Sequence, residues 1–107
     1  MPRLVSVKRS DRDGKKWVAE FKMDDKEGGS ESDRRGHLIH THFGASGYTD
    51  YTRGASEEQR NNYRMRHHKD LISHDPTSAG LLSYHILWGS SRSMERNIQV
   101  FKREFGL

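Results

Sequence analysis

His42-Phe43-Gly44-Ala45-Ser46-Gly47-Tyr48-Thr49-Asp50-Tyr51-Thr52 divides the chain into an extended N-terminal half and a helical C-terminal half. Gly44 and Gly47 supply backbone freedom, while Phe43, Tyr48 and Tyr51 carry large apolar area with polar tips, more aromatic mass than a plain linker needs. The glycines are read as turning the chain from a last strand towards a first helix. Phe43 is then anchored in the core, and the Asp50 side chain bonds the segment's own backbone.

Upstream of this junction the pattern has period two. Residues 4–8 form a short strand with Val5 and Val7 on one face, and Asp11-Arg12-Asp13-Gly14 has hairpin-turn residues. Residues 16–23 place Trp17, Ala19 and Phe21 on one side and Val18, Glu20 and Lys22 on the other. Residues 37–43 alternate again, with Leu38, His40 and His42 opposite Ile39, Thr41 and Phe43. The stretch 24–36 between them has no apolar residue and contains Gly28-Gly29, so it reads as a loose solvated loop. The simplest arrangement is an antiparallel meander whose Trp17, Phe21, Ile39 and Phe43 face the helices.

Downstream the period becomes helical. Ser56 with Gln59 makes a capping box for a helix over 57–70, acids in its first turn and bases near its end. Asp75-Pro76 breaks the pattern, and Thr77 or Ser78 caps a second helix over 78–88, with Ala79, Leu82 and Ile86 at helical spacing and Leu81, Tyr84 and Trp88 beside them. Ser93 caps a third helix over 93–105, striped by Met94, Ile98, Phe101 and Phe105, and Gly106 closes it. The predicted architecture is a single α+β domain over 1–107: a three-stranded antiparallel sheet packed against three C-terminal helices.

Only 31% of the 107 residues are hydrophobic and 32% are charged, so the core is thin and ordering is expected to lean on a partner. That core is expected to take Trp17, Phe21, Phe43, Leu82, Leu87, Trp88, Phe101 and Phe105, leaving Tyr48 and Tyr51 as the surface pair. A net charge of +4 favours anionic partners without naming one. With no cysteine there is no disulfide framework and no thiolate metal site. No apolar run has signal-peptide or membrane-spanning character, so no membrane partner is expected.

His42-Phe43-Gly44-Ala45-x-Gly-x-x-Asp50-Tyr51-Thr52, Arg66-His67, Asp75-Pro76-x-x-Ala79-Gly80-x-Leu82-Ser83, Leu87-Trp88 and Phe101-Lys102-Arg103-x-Phe105 follow in fixed order. Together, over roughly Lys8 to Leu107, they resemble a small uncharacterised domain family found mainly in large DNA viruses of algae and protists. The resemblance implies a viral or protist setting and carries no catalytic residue over. Family members often place a histidine after the Asp-Tyr-Thr triplet, where this chain has Arg53-Gly54-Ala55.

Seven histidines stand out in so short a chain. His40 and His42 share a strand face at a spacing able to hold a divalent ion, and His67 or His74 with Asp50 could complete a shell for a metal-dependent nuclease. Hydrogen-bonded imidazoles on a polar sheet face explain them equally, and no compact motif fixes ligand geometry, so no metal or cofactor is expected. Glu57 and Glu58 are explained by capping, and Ser46 and Ser83 lack a nucleophile-elbow context, so no enzymatic activity is expected. Arg60, Arg64, Arg66, His67 and Lys69 on one helix, with Arg92, Arg96, Lys102 and Arg103 at another, are candidates for binding phosphate or other anions. The competing reading makes them solvated faces paired with Glu57, Glu95 and Glu104 across turns.

Tyr48, Tyr51 and Arg53 are the candidate protein contacts. With the lean core, the family resemblance implies a non-enzymatic function: a basic, virion-associated structural protein of minor capsid type that bridges larger subunits, found in the virion and, during assembly, in the host cytoplasm. Sequence-independent nucleic-acid binding is the alternative, and a histidine-metal nuclease the second.

Overall fold

Strand β2 (Lys15–Lys22) is the centre of the sheet, with β1 (Arg3–Arg9) and β3 (Leu38–Ala45) antiparallel on either side. The structure, a computed structural model, describes residues 2–23 and 38–107. The predicted loop 24–36 lies outside the described residues, as does His37 at the predicted start of the third strand. Trp17 pairs with Phe43, Ala19 with Thr41 and Phe21 with Ile39, so the alternating apolar residues of β2 and β3 share the face turned to the helices. The architecture is the α+β arrangement expected, a meander followed by helices.

The faces of β1 differ from expectation. Leu4 lies opposite Phe21 and Ser6 opposite Glu20, so one extra residue is inserted between them as a bulge. A bulge reverses the alternation at that point. Leu4 and Val7 therefore face the core, while Val5, expected beside Val7, is 54% exposed.

Helix α1 (Glu57–Arg66) starts with the expected reciprocal cap, Gln59 N–H donating to Ser56 Oγ at 3.1 Å and Ser56 N–H to Gln59 Oε1 at 2.8 Å. It stops earlier than expected, at Arg66, and a 3-10 stretch follows over His68–Ser73. No residue of α1 is buried, so core packing does not hold the chain in α-helical geometry past the last turn. Helix α2 (Ala79–Leu82) is capped by Ser78 and runs directly into a π-helical turn over Ser83–Leu87. The wider turn widens the buried face, so that Leu81, Leu82, Tyr84, Ile86 and Leu87 are all buried, more than a straight helix shows to one side. Helix α3 (Met94–Phe105) runs as expected from the Ser93 cap to Gly106.

The core joins Leu4, Ala19, Phe21 and Phe43 of the sheet to Leu82, Ile86 and Leu87 of the α2 segment and Phe101 of α3. Trp17, Trp88 and Phe105, expected fully inside, pack partly buried against it. The start of α2 is also tied to the sheet, with the Thr41 hydroxyl donating to Thr77 O at 2.7 Å.

After Phe43 the chain turns through Gly44 (φ +80°) and Gly47 (φ +86°), backbone geometry that a side chain disfavours. The two glycines differ in surroundings. A Cβ on Gly44 would stand 2.9 Å from Leu87 Cδ1, whereas one on Gly47 would meet nothing within 4 Å. Gly47→Ala should cost about 1 kcal/mol, the conformational penalty alone, and Gly44→Ala at least about 1 kcal/mol more through its collision with Leu87. Urea denaturation of the two variants checks the order.

Candidate functional site

Asp50 is the best buried charge in the molecule's described part, 1% exposed. Lys16 Nζ donates to its Oδ2 at 2.8 Å, and the Thr52 amide (3.0 Å) and Thr52 hydroxyl both donate to its Oδ1. Its own carbonyl accepts from the amides of Arg53 and Ala55, each at 3.0 Å. The expected bond from Asp50 to the segment's backbone is thus present, and it caps a short 3-10 turn over Tyr51–Arg53. The extra strength comes from Lys16, a partner distant in sequence.

That turn puts Tyr51 inside. It is 8% exposed, so the expectation that Tyr48 and Tyr51 form a surface pair is corrected: Tyr48 alone is presented, at 73% exposure. Two guanidiniums lie over the Tyr51 ring, Arg92 with its Cζ 4.2 Å from the ring centroid and Arg60 at 5.4 Å. Arg53 is exposed beside it.

The expected basic residues fall into two groups. Arg60 donates to Gly89 O at 2.7 Å, Arg64 to Trp88 O at 2.8 Å, and Arg92 to Tyr51 O at 3.2 Å and Ala55 O at 3.0 Å. These three hold main-chain carbonyls of irregular segments, and none pairs with Glu57, Glu95 or Glu104 across a turn. Arg64 also covers the Tyr84 ring at 4.1 Å, and burial lowers its pKa from the ordinary value. Arg66, Lys69, Arg96, Lys102 and Arg103 form the second group and are exposed. Asn97, buried and unforeseen as a key residue, does similar work: its amide donates to Ile86 O at 2.8 Å and Ser91 O at 2.7 Å, and its oxygen accepts from the Ser91 amide. A polar residue inside the apolar stripe of α3 was its one signal in the sequence.

The expected histidines are separated. His40 bonds Glu20 at 3.0 Å and His42 bonds Ser10 at 2.7 Å, both on the sheet face turned from the helices. His74 is exposed, and Asp50 is committed to Lys16. Among the described residues no three His, Asp or Glu side chains are placed to hold a metal ion.

What the fold does assemble is a groove of about 1090 Å³ between the Gly44–Asp50 segment, α1 and the α2 segment. One wall is a ladder of rings: Trp88 stacks on Tyr63 at 4.4 Å between centroids, and Tyr63 on His67 at 4.1 Å. Burial, with Asp70 adding, pushes the Tyr63 phenol up to about 12, so it stays a neutral hydrogen-bonding group. His67 bonds Asp70 at 3.2 Å. Lys15, Arg66 and Lys69 also line the groove and form no ion pair among the described residues. Met65 lines it too, 78% exposed.

The fold and site are those of a small α+β domain with a preformed groove edged by Lys15, Arg66 and Lys69. By sequence the chain belongs to a family of unknown function (DUF5754), whose model matches residues 5–67, the sheet through α1. The Asp75-Pro76 motif and the closing Phe101–Phe105 motif lie beyond that match. The chain is also similar to the uncharacterized protein L851 of Acanthamoeba polyphaga mimivirus, 35% identical over 91 residues, covering 78% of this chain and 80% of that protein. No solved structure matches it.

The division among the arginines is measurable. Arg92→Ala should destabilise the fold by about 2–3 kcal/mol, because it strips donors from two carbonyls and uncovers Tyr51. Arg96→Ala on the exposed side of α3 should stay within about 0.5 kcal/mol of the parent. Chemical denaturation of both reads the difference.

Proposed function

We propose that this protein is a non-enzymatic binding module of a virus. It acts as a small virion-associated structural protein, made in the host cytoplasm, that bridges larger subunits of the particle. Its groove takes an acidic segment of such a subunit, anchored by one aliphatic side chain. The observation that carries this reading is the pairing of two large exposed side chains, Tyr48 and Met65, with the cations Lys15, Arg66 and Lys69, which form no ion pair among the described residues, around one groove.

Tyrosine, methionine and arginine are the residues enriched where proteins meet, and methionine in particular adapts to the shape of its partner. Lys15, Arg66 and Lys69, outnumbering the aspartate of the lining left after the Lys16–Asp50 pair, favour an acidic segment and speed its encounter. The volume suits several side chains of an extended peptide. The mimivirus relative supports the viral setting. A nucleic-acid reading draws on the same cations, but Arg60, Arg64 and Arg92 each commit a nitrogen to main-chain carbonyls, so fewer of their N–H groups are left for a phosphate backbone than the helix sequences suggest.

The test is fluorescence anisotropy with two probes: a synthetic Asp- and Glu-rich peptide carrying a central leucine, and a single-stranded DNA oligonucleotide. The peptide should bind in the micromolar range, weaken about tenfold with Arg66→Glu plus Lys69→Glu, and weaken several-fold with Met65→Ala. Micromolar or tighter DNA binding with a steep salt slope, and no peptide binding, would replace this reading with the nucleic-acid one.

A further inference from the structure

Helix α1 has a second working side, away from the groove. Arg60 and Arg64, one turn apart, reach across to the segment between α2 and α3 and line a small cavity of about 150 Å³ with His85, Ser90, Asn97 and Glu104. Each guanidinium spends one nitrogen on a carbonyl, Arg60 through Nε and Arg64 through Nη1. Their other N–H groups make no hydrogen bond among the described residues, and neither side chain has a carboxylate within ion-pair distance there. Burial lowers the Arg64 pKa and Arg60 beside it adds to the lowering, while Tyr84 and Glu104 oppose it.

His85 forms another wall of the cavity. Its ring is held between Tyr84, Phe101 and Phe105, and its Nε2 is buried with no hydrogen-bond partner among the described residues. Its Nδ1 lies 3.7 Å from Glu104, whose carboxylate is 55% exposed at the cavity's edge. Burial lowers the His85 pKa, with Glu104 opposing it, so the ring is a neutral wall of the cavity beside the two guanidiniums.

We propose that this cavity is a binding site for a phosphate-sized tetrahedral oxyanion. Arg60 and Arg64 supply the charge and forked donors, and the Ser90 hydroxyl at the exposed edge a further contact. The volume admits one oxyanion and excludes a nucleoside, so the ligand is either free inorganic phosphate or a terminal phosphate monoester whose remainder stays outside. The site rests on residues other than those of the groove and does not depend on the protein-bridging role. Bound anion would brace α1 against the α2–α3 connection, stabilising the scaffold that holds the groove's outer wall.

The experiment is a titration of the whole protein with inorganic phosphate, followed by NMR at the arginine Nε–H groups and the His85 ring, with chloride at matched ionic strength as the control. Saturable shifts at Arg60, Arg64 and His85, absent in chloride, are expected. Glu104→Gln removes the competing carboxylate and should tighten binding about three- to tenfold, while Ser90→Glu at the exposed edge should weaken it at least about tenfold. Parallel titrations with a 5′-phosphorylated and a 5′-hydroxyl dinucleotide identify the source: tighter binding of the first alone assigns a terminal monoester, and binding of inorganic phosphate alone assigns the free ion. Shifts spread over all surface cations, or no response of affinity to either variant, would overturn the proposal.

Discussion

The ion pair between Lys16 and Asp50 is the constraint on which the rest of this structure depends. A carboxylate 1% exposed must be fully bonded or the chain will not bury it, and Asp50 meets that demand with one ammonium, one amide and one hydroxyl. Because Lys16 belongs to the central strand and Asp50 to the segment leaving β3, the pair fixes where the chain goes after the sheet ends. Tyr51 is then carried inwards, beneath Arg92 and Arg60, and Tyr48 is left at the edge of the groove. One buried charge thereby sets both the position of α1 and the shape of the groove wall.

The same economy explains why a chain with only 31% hydrophobic residues forms these elements. Its apolar core joins the sheet to α2 and α3, while α1 contributes no buried residue. Instead α1 is held by side chains that bond main-chain carbonyls, Arg60 on Gly89 and Arg64 on Trp88, and by the stack of Tyr63 on Trp88. Hydrogen bonds from charged groups to otherwise unbonded carbonyls each contribute more than neutral ones, which makes such fasteners a workable substitute for area burial. The consequence for function is direct. Arg60 and Arg64, which look like part of a phosphate-binding stripe along α1, each fasten a main-chain carbonyl with one nitrogen, and the cations at the groove include Lys15, Arg66 and Lys69.

The period-two strands, the Ser56–Gln59 box, the Ser93 and Gly106 caps and the glycine turn after Phe43 were all legible, because each is a local relation between neighbours in the chain. The bulge at Leu4–Ser6 was not, since it shows only as a slip against the partner strand. The π-helical turn at Ser83–Leu87 was hidden for a related reason: its apolar residues are compatible with a helix, and only packing selects the wider turn. Tyr51 was misplaced because its neighbours in space, Arg60 and Arg92, are distant in sequence. Of the candidate site residues, Tyr48, Arg66, His67 and Lys69 do come together along the groove, joined by Met65.

Native-state amide hydrogen exchange tests most directly whether the buried carboxylate organises the wall of the groove. The Thr52 and Ala55 amides, bonded to Asp50, should exchange only through global unfolding, with the same free energy as amides of β2, and in Lys16→Met they should exchange far faster than that strand. Thr52 and Ala55 amides that exchange in the parent protein as rapidly as an exposed loop, or that are unaffected by Lys16→Met, would contradict the account.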